Sequence, residues 1–217
     1  MLKKNIHFIF ILLILLGIST VAFGQGNAGK IDFGSIEGSV YRNRYFGLKL
    51  TIPEKWQVQD DETKKQITAV GKKAIAGSNK ELEKSLDASL LNSLNLLAVF
   101  KYPLNSGATA NPSFACLAEK NNQLPSITSR EYVLSMKSLM QQSKLPYKFE
   151  QAIYSQSLGG REFTVLPTQI TFNGVLFYQN YYLTIMKGYA LTFIVTYTTD
   201  EDLKSLEAVQ KSVTFEE

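Results

Sequence analysis

Val175-Leu-Phe-Tyr-Gln-Asn-Tyr-Tyr-Leu-Thr-Ile-Met-Lys-Gly-Tyr-Ala-Leu-Thr-Phe-Ile-Val-Thr-Tyr197 holds two strand-length runs about a Lys187-Gly188 turn. Alternation assigns Val175, Phe177, Leu183, Ile185, Leu191, Phe193 and Val195 to one face. Leu176, Tyr178, Tyr182, Met186 and Ile194 take the other. Strands that are apolar on both faces belong to a sheet covered on both sides. Two-residue hairpin signals recur upstream at Asn173-Gly174 and Gly159-Gly160. The spacing predicts an antiparallel meander of four strands over residues 148–157, 161–171, 175–186 and 189–198.

Helices that could cover such a sheet stand on either side of it in sequence. Asp60-Asp61-Glu62 opens one that runs to Gly77, with Ile67, Val70, Ala74 and Ile75 on one face. Ser78 and Glu81 have capping-box spacing before Leu82, Leu86, Leu90 and Leu94. Thr128 and Glu131 repeat the box before Tyr132, Val133, Met136, Leu139 and Met140, and Pro146 closes that helix. Thr199 caps a last helix with Leu203, Leu206 and Val209 inward. Further strands are expected over 96–102 and 114–120. The fold class is α+β: a three-layer α/β/α sandwich with a mainly antiparallel sheet.

Tyr41-Arg-Asn-Arg-Tyr-Phe-Gly-Leu-Lys-Leu-Thr-Ile-Pro-Glu-Lys-Trp56 forms two short strands about a bend at Gly47. Leu48, Leu50 and Ile52 share a face, and Pro53 ends the strand because it has no N–H to donate. Phe46, Gly47, Pro53 and Trp56 are its structural anchors. Arg42 and Arg44 either form a recognition surface or guard an edge strand.

Lys3 and Lys4, the apolar run from Phe8 to Ile18 and the small residues Ala22 and Gly24 compose a signal peptide over residues 1–24. Residues 25–39 carry four glycines and are expected to be a flexible leader, with a single domain over 40–217. Removing Lys3 and Lys4 takes the formal charge from +4 to +2, too little for a nucleic-acid binder. The expected location is exported, periplasmic or extracellular, with no stable membrane anchor after cleavage.

Chemistry is thin in this sequence. The single histidine, His7, leaves with the signal peptide, so His-based triads and zinc sites are excluded from the mature chain. Gly24-Gln-Gly-Asn-Ala-Gly-Lys30 satisfies G-x-G-x-x-G, yet it follows a signal core where phosphate cradling needs a strand, so it belongs to a linker. Cys116 alternates with Phe114 and Ala118 as a buried residue. Lys64-Lys65 and Lys72-Lys73 suit a solvated helix face or, alternatively, contact with anionic lipid. Asp60-Asp61-Glu62 and Asp200-Glu201-Asp202 are helix-start charges. Tyr178, Tyr182 and Met186 line a ligand groove or pack beneath a helix.

Tyr41-x-Asn43-x-x-Phe46-Gly47 with Pro53 and Trp56 resembles the opening of the PsbP-like families: photosystem PsbP proteins, DcrB-type lipoproteins and Ran-binding Mog proteins. The strand Tyr189–Tyr197 and the ending Lys211-Ser-Val-Thr-Phe215 are similar to theirs as well. That resemblance implies a PsbP-like fold and a non-enzymatic binding or assembly-accessory protein, with a protein partner in the cell envelope or exterior and no cofactor. A small-molecule or lipid carrier with an apolar groove between sheet and helices is the alternative. A hydrolase acting through paired carboxylates is a third class.

Overall fold

The meander forms as its turns dictate. Asn173 and Gly174, and likewise Lys187 and Gly188, have positive φ at both central positions, the geometry whose twist matches paired strands. The structure, a computed structural model, describes residues 32–216 apart from 105, 109, 121–125 and 144. Residues 1–24, expected to be a signal peptide, and the Gly24–Lys30 stretch lie outside the described residues.

In chain order the elements are β1 (Ser35–Glu37), β2 (Val40–Asn43), β3 (Leu48–Thr51), β4 (Gln57–Val58), α1 (Asp61–Ala76) and α2 (Lys80–Leu91). Then come β5 (Ser93–Phe100), β6 (Ser113–Lys120), α3 (Ser129–Gln142), β7 (Tyr147–Lys148) and β8 (Tyr154–Leu158). β9 (Arg161–Phe172), β10 (Val175–Met186), β11 (Tyr189–Tyr197), α4 (Asp200–Lys211) and β12 (Thr214–Phe215) complete the described chain. The large sheet has the order β4-β5-β6-β11-β10-β9-β7, with β8 also on β9, and every described pairing is antiparallel. A small sheet, β1-β2-β3-β12, joins the first strands to the last.

The fold is an α+β three-layer sandwich. One face of the large sheet packs on α1, α2 and α3 through Ile75, Leu82, Leu86, Tyr132, Val133, Met136 and Met140. Over the other face lie α4, through Leu206 and Val209, and the small sheet, through Tyr41, Phe46, Leu48 and Leu50. That outer layer is therefore helix and sheet together.

The face assignment along β11 is corrected. The two-residue turn pairs Met186 with Tyr189, so even positions of β10 face odd positions of β11. Phe193 stands beside Tyr182 under α4 and the small sheet, and Ile194 stands beside Tyr181 under α3. The first meander strand divides into β7 and β8, which pair with opposite ends of β9. β1 falls within the stretch expected to be a flexible leader, because Asp32 and Phe33 are tied to the next hairpin. The Tyr41 hydroxyl donates to the Phe33 carbonyl (2.9 Å), and the Tyr45 N–H donates to the Asp32 carboxylate (2.9 Å).

The helix ends follow capping chemistry. Asp60 caps α1, Thr128 closes a full capping box on α3, and Thr199 caps α4. On α2 the cap is Asn79, whose side chain accepts from the Leu82 N–H, where the spacing had pointed to Ser78. That helix ends at Leu91, so Leu94 belongs to β5. The α1 stripe is also shifted. Val70 is exposed, and the buried positions are Lys64, Gly71, Ile75 and Ala76. A buried lysine in place of a valine is the first sign of the site.

Candidate functional site

β4 pairs only with Val99 and Phe100, so among the described residues no strand covers the outer edge of β5 from Ser93 to Leu97. An open edge leaves carbonyls that need donors. α1 supplies one of them. Lys64, only 8% exposed, reaches the Asn95 carbonyl (3.2 Å) and pairs with Asp61 (2.7 Å).

The edge is also kinked. Register shifts between Asn95 and Leu97, and this irregularity turns both Leu96 and Leu97 toward the small-sheet face. Asn95 stays on the helix side beside Leu117, and its side-chain oxygen and nitrogen are buried without a hydrogen-bond partner among the described residues. Buried polar atoms in that condition mark a strained or ligand-ready position.

Between this edge and the α1–α2 pair lies a cavity of about 650 Å³, within the roughly 300–1,000 Å³ of small-molecule sites. Its apolar lining is Phe33, Ala69, Leu90 and Leu117, and its polar lining includes Lys64, Lys65, Lys72 and Asn95. Lys72 bridges to α2 through Asp87 (2.8 Å) and Glu83 (3.4 Å), and the hydrogen bond to Asp87 is the main cause of its raised pKa. Lys65 makes no ion pair among the described residues. The site thus offers an apolar wall, two lysines held in ion pairs and a third, Lys65, that makes no ion pair among the described residues. Behind it, the fully buried Glu119 accepts from Ser89 (3.1 Å) and from the Tyr132 hydroxyl.

The other positions singled out in the sequence lie elsewhere. Tyr178 stacks on Tyr197 (5.2 Å between centroids) on the α4 side of the sheet, and Tyr182 and Met186 are buried on that same side. Tyr182 also borders a second cavity there, and Met186 packs in the core. Arg42 pairs with Glu216 (3.6 Å) and Arg44 is exposed. β2 is flanked by β1 and β3, so Arg42 is not guarding an edge. Phe46 is buried, Trp56 packs partly on the same core, Pro53 lies just past the end of β3, and Gly47 has φ +64°. At Gly47 a Cβ would run into the Glu216 carbonyl, so only glycine fits the small-sheet bend. Burial pushes the Cys116 thiol well above its ordinary pKa, which removes it as a nucleophile.

The lysines divide the sequence reading, since Lys65 and Lys73 are exposed as a solvated face requires and their neighbours are not. Lys64 and Lys72 line a cavity and are not a solvated face. Their signal was the spacing Lys64, Thr68, Lys72, Ile75, one continuous helical stripe carrying both charged and apolar residues. Asp202 likewise does more than start a helix, since it is buried and paired with Lys101 (2.9 Å). Among the described residues no group of three or more His, Cys, Asp or Glu could hold a metal ion, and no described helix is long and apolar enough to cross a membrane.

No protein-family model and no curated protein matches the chain. Solved structures do resemble it at the level of fold. Cyanobacterial PsbP from Synechocystis is 12% identical, with 88% of this chain and 100% of that one covered at a TM-score of 0.49. LpqN of Mycobacterium tuberculosis, described as involved in cell envelope biogenesis, is 11% identical, with 78% and 83% covered at 0.45. A Bacteroides thetaiotaomicron protein is 10% identical at 0.44, and this chain spans 45% of its length. These are likenesses of chain path, and the chemistry of the site rests on this chain's own residues.

Proposed function

We propose that the chain is an exported, non-enzymatic binding protein that holds an amphiphilic anionic molecule in the cavity beside β5. The observation that carries this reading is the cavity itself, about 650 Å³ between helices and sheet, with Leu90 and Leu117 inside and Lys65 unpaired at its border. An acyl or similar apolar body would contact the leucines, and a carboxylate or phosphate head would meet Lys65. The signal-like residues 1–24 support export. The two carboxylates bordering the cavity, Asp61 and Asp87, are each held by a lysine. A binding role suits that arrangement better than a shared-proton pair.

The assembly-accessory reading has one observation of its own. Ile36 and Tyr45 are exposed apolar residues within one hydrogen-bonded segment that also carries Arg42 and Arg44. A protein partner docking there would cover them.

Native mass spectrometry of protein isolated from its own envelope separates the two readings. Reproducible extra mass in the range of a single lipid, lost in Leu90→Trp, is the expected result. Bare protein accompanied by a stoichiometric polypeptide would replace the ligand reading with the partner reading.

A further inference from the structure

The second cavity lies on the opposite side of the large sheet, where β8 and β10 meet α4, and measures about 500 Å³. Its character differs from the first. Tyr154, Gln156, Asn180 and Tyr182 come from the sheet, and Gln210 comes from α4. Its two charged lining residues, Glu207 and Lys211, pair with each other (3.5 Å), so the wall carries no net charge.

Gln210 is the telling residue. It is 4% exposed, yet its Nε2 has no hydrogen-bond partner among the described residues. A buried amide donor left unpaired is costly, and a helix surface seldom keeps one without use. Tyr154 is 40% exposed and offers a flat ring at the cavity's border. Burial, with the Tyr182 hydroxyl beside it, pushes the Tyr154 hydroxyl above its ordinary pKa, so it stays neutral. The Asn180 amide donates to the Tyr197 hydroxyl oxygen, which fixes that amide in place.

Planar amides and hydroxyls serve ligands with many hydroxyl groups, each both donor and acceptor. An aromatic ring serves the C–H face of a pyranose, and a wall without net charge gives no advantage to an anion. We infer that this cavity is a saccharide site that takes an uncharged disaccharide or the neutral sugar end of a larger glycan, with Tyr154 stacking on a ring and the Gln210 amide turning outward from its buried position to donate to a hydroxyl. It is distinct from the lysine-lined cavity, with which it shares no residue.

The test is saturation-transfer NMR on the full mature chain with maltose, cellobiose and chitobiose, each against its uronic-acid counterpart. At least one neutral disaccharide should bind and the acids should not. Tyr154→Ala, at a half-open position that tolerates truncation, should weaken binding about tenfold or more. Gln210→Leu should do the same, and Lys65→Glu should leave it unchanged. Transfer from none of the three disaccharides, preference for the acids, or binding indifferent to both Tyr154→Ala and Gln210→Leu would each overturn the assignment. Competition by purified glycolipid headgroup against free disaccharide identifies which source the site reads.

Discussion

α1 and α3 lie in one layer over one sheet and meet it in opposite ways. α3 brings down Tyr132, Val133, Met136 and Met140, all of them buried, and its hydroxyl from Tyr132 finishes on buried Glu119. α1 brings down Lys64, Gly71 and Ile75, with Thr68 and Lys72 on the cavity side. Where the stripe is apolar the layer seals, and where lysines interrupt it the layer stands off from the sheet and leaves a cavity. A helix can therefore be a wall of a site without any residue that looks catalytic.

The contrast breaks most sharply in the sealed half. Met136→Ala should cost about 2–5 kcal/mol in urea unfolding, the range for truncating a buried side chain. Val70→Ala, at an exposed position of α1, should stay within about 0.5 kcal/mol. Equal costs at the two positions would mean that the layer is uniform after all. Next in size is Tyr132→Phe, which removes a donor from a carboxylate with no access to water. The expected loss is about 1–3 kcal/mol, read from the denaturation midpoint at an unchanged m-value.

Ion pairs sharpen the same comparison. Lys64–Asp61 opens to solvent at its aspartate, whereas Asp202 in Lys101–Asp202 is buried. Burial acts to raise the Asp202 carboxyl, but hydrogen bonds from Lys101, Thr199 and Thr198 outweigh it and hold the pKa below the ordinary value. A carboxyl that is lower in the folded state contributes fully above its unfolded value of about 3.9 and stops contributing as pH falls through the folded value. Lys101→Ala should therefore destabilise by about 1–3 kcal/mol near neutrality. The gap to wild type should shrink below about pH 4. A gap that widened on acidification would contradict this sign. Asp61→Asn should cost about 1 kcal/mol at most at any pH.

The smallest expected effect on stability is at Lys65. Lys65→Glu should leave the unfolding midpoint within about 0.5 kcal/mol while reducing retention of an anionic amphiphile about tenfold. Loss of both together would place Lys65 in the scaffold.

Much of this architecture was legible because its signals are local. Two-residue turns at Asn173-Gly174 and Lys187-Gly188 fix the meander, and Thr128 and Thr199 fix helix starts. The faces of β11 were missed because turn length, and not alternation alone, decides which parity meets which. The cavity beside β5 was missed for a different reason. It depends on β4 being too short to cover β5 and on a bulge at Asn95, neither of which leaves a mark in residue type. Gln210 was equally silent, since a glutamine on a polar helix is ordinary until its burial is known. Tyr182 was singled out, and it borders the second cavity, though packing claims most of its surface.

The small sheet has a bearing on the order of events in the life of the chain. Its strand β3 is completed by β12, and the Glu216 N–H donates to the Gly47 carbonyl (2.8 Å). The beginning of the domain must wait for its end. At about 5–20 residues per second of synthesis, that wait is on the order of ten seconds or more. Until then Leu48 and Leu50 lie on a sheet without its last strand, so this layer cannot lock before β12 has been made. The remaining strands can pair in that time, and β12 acts as the latch.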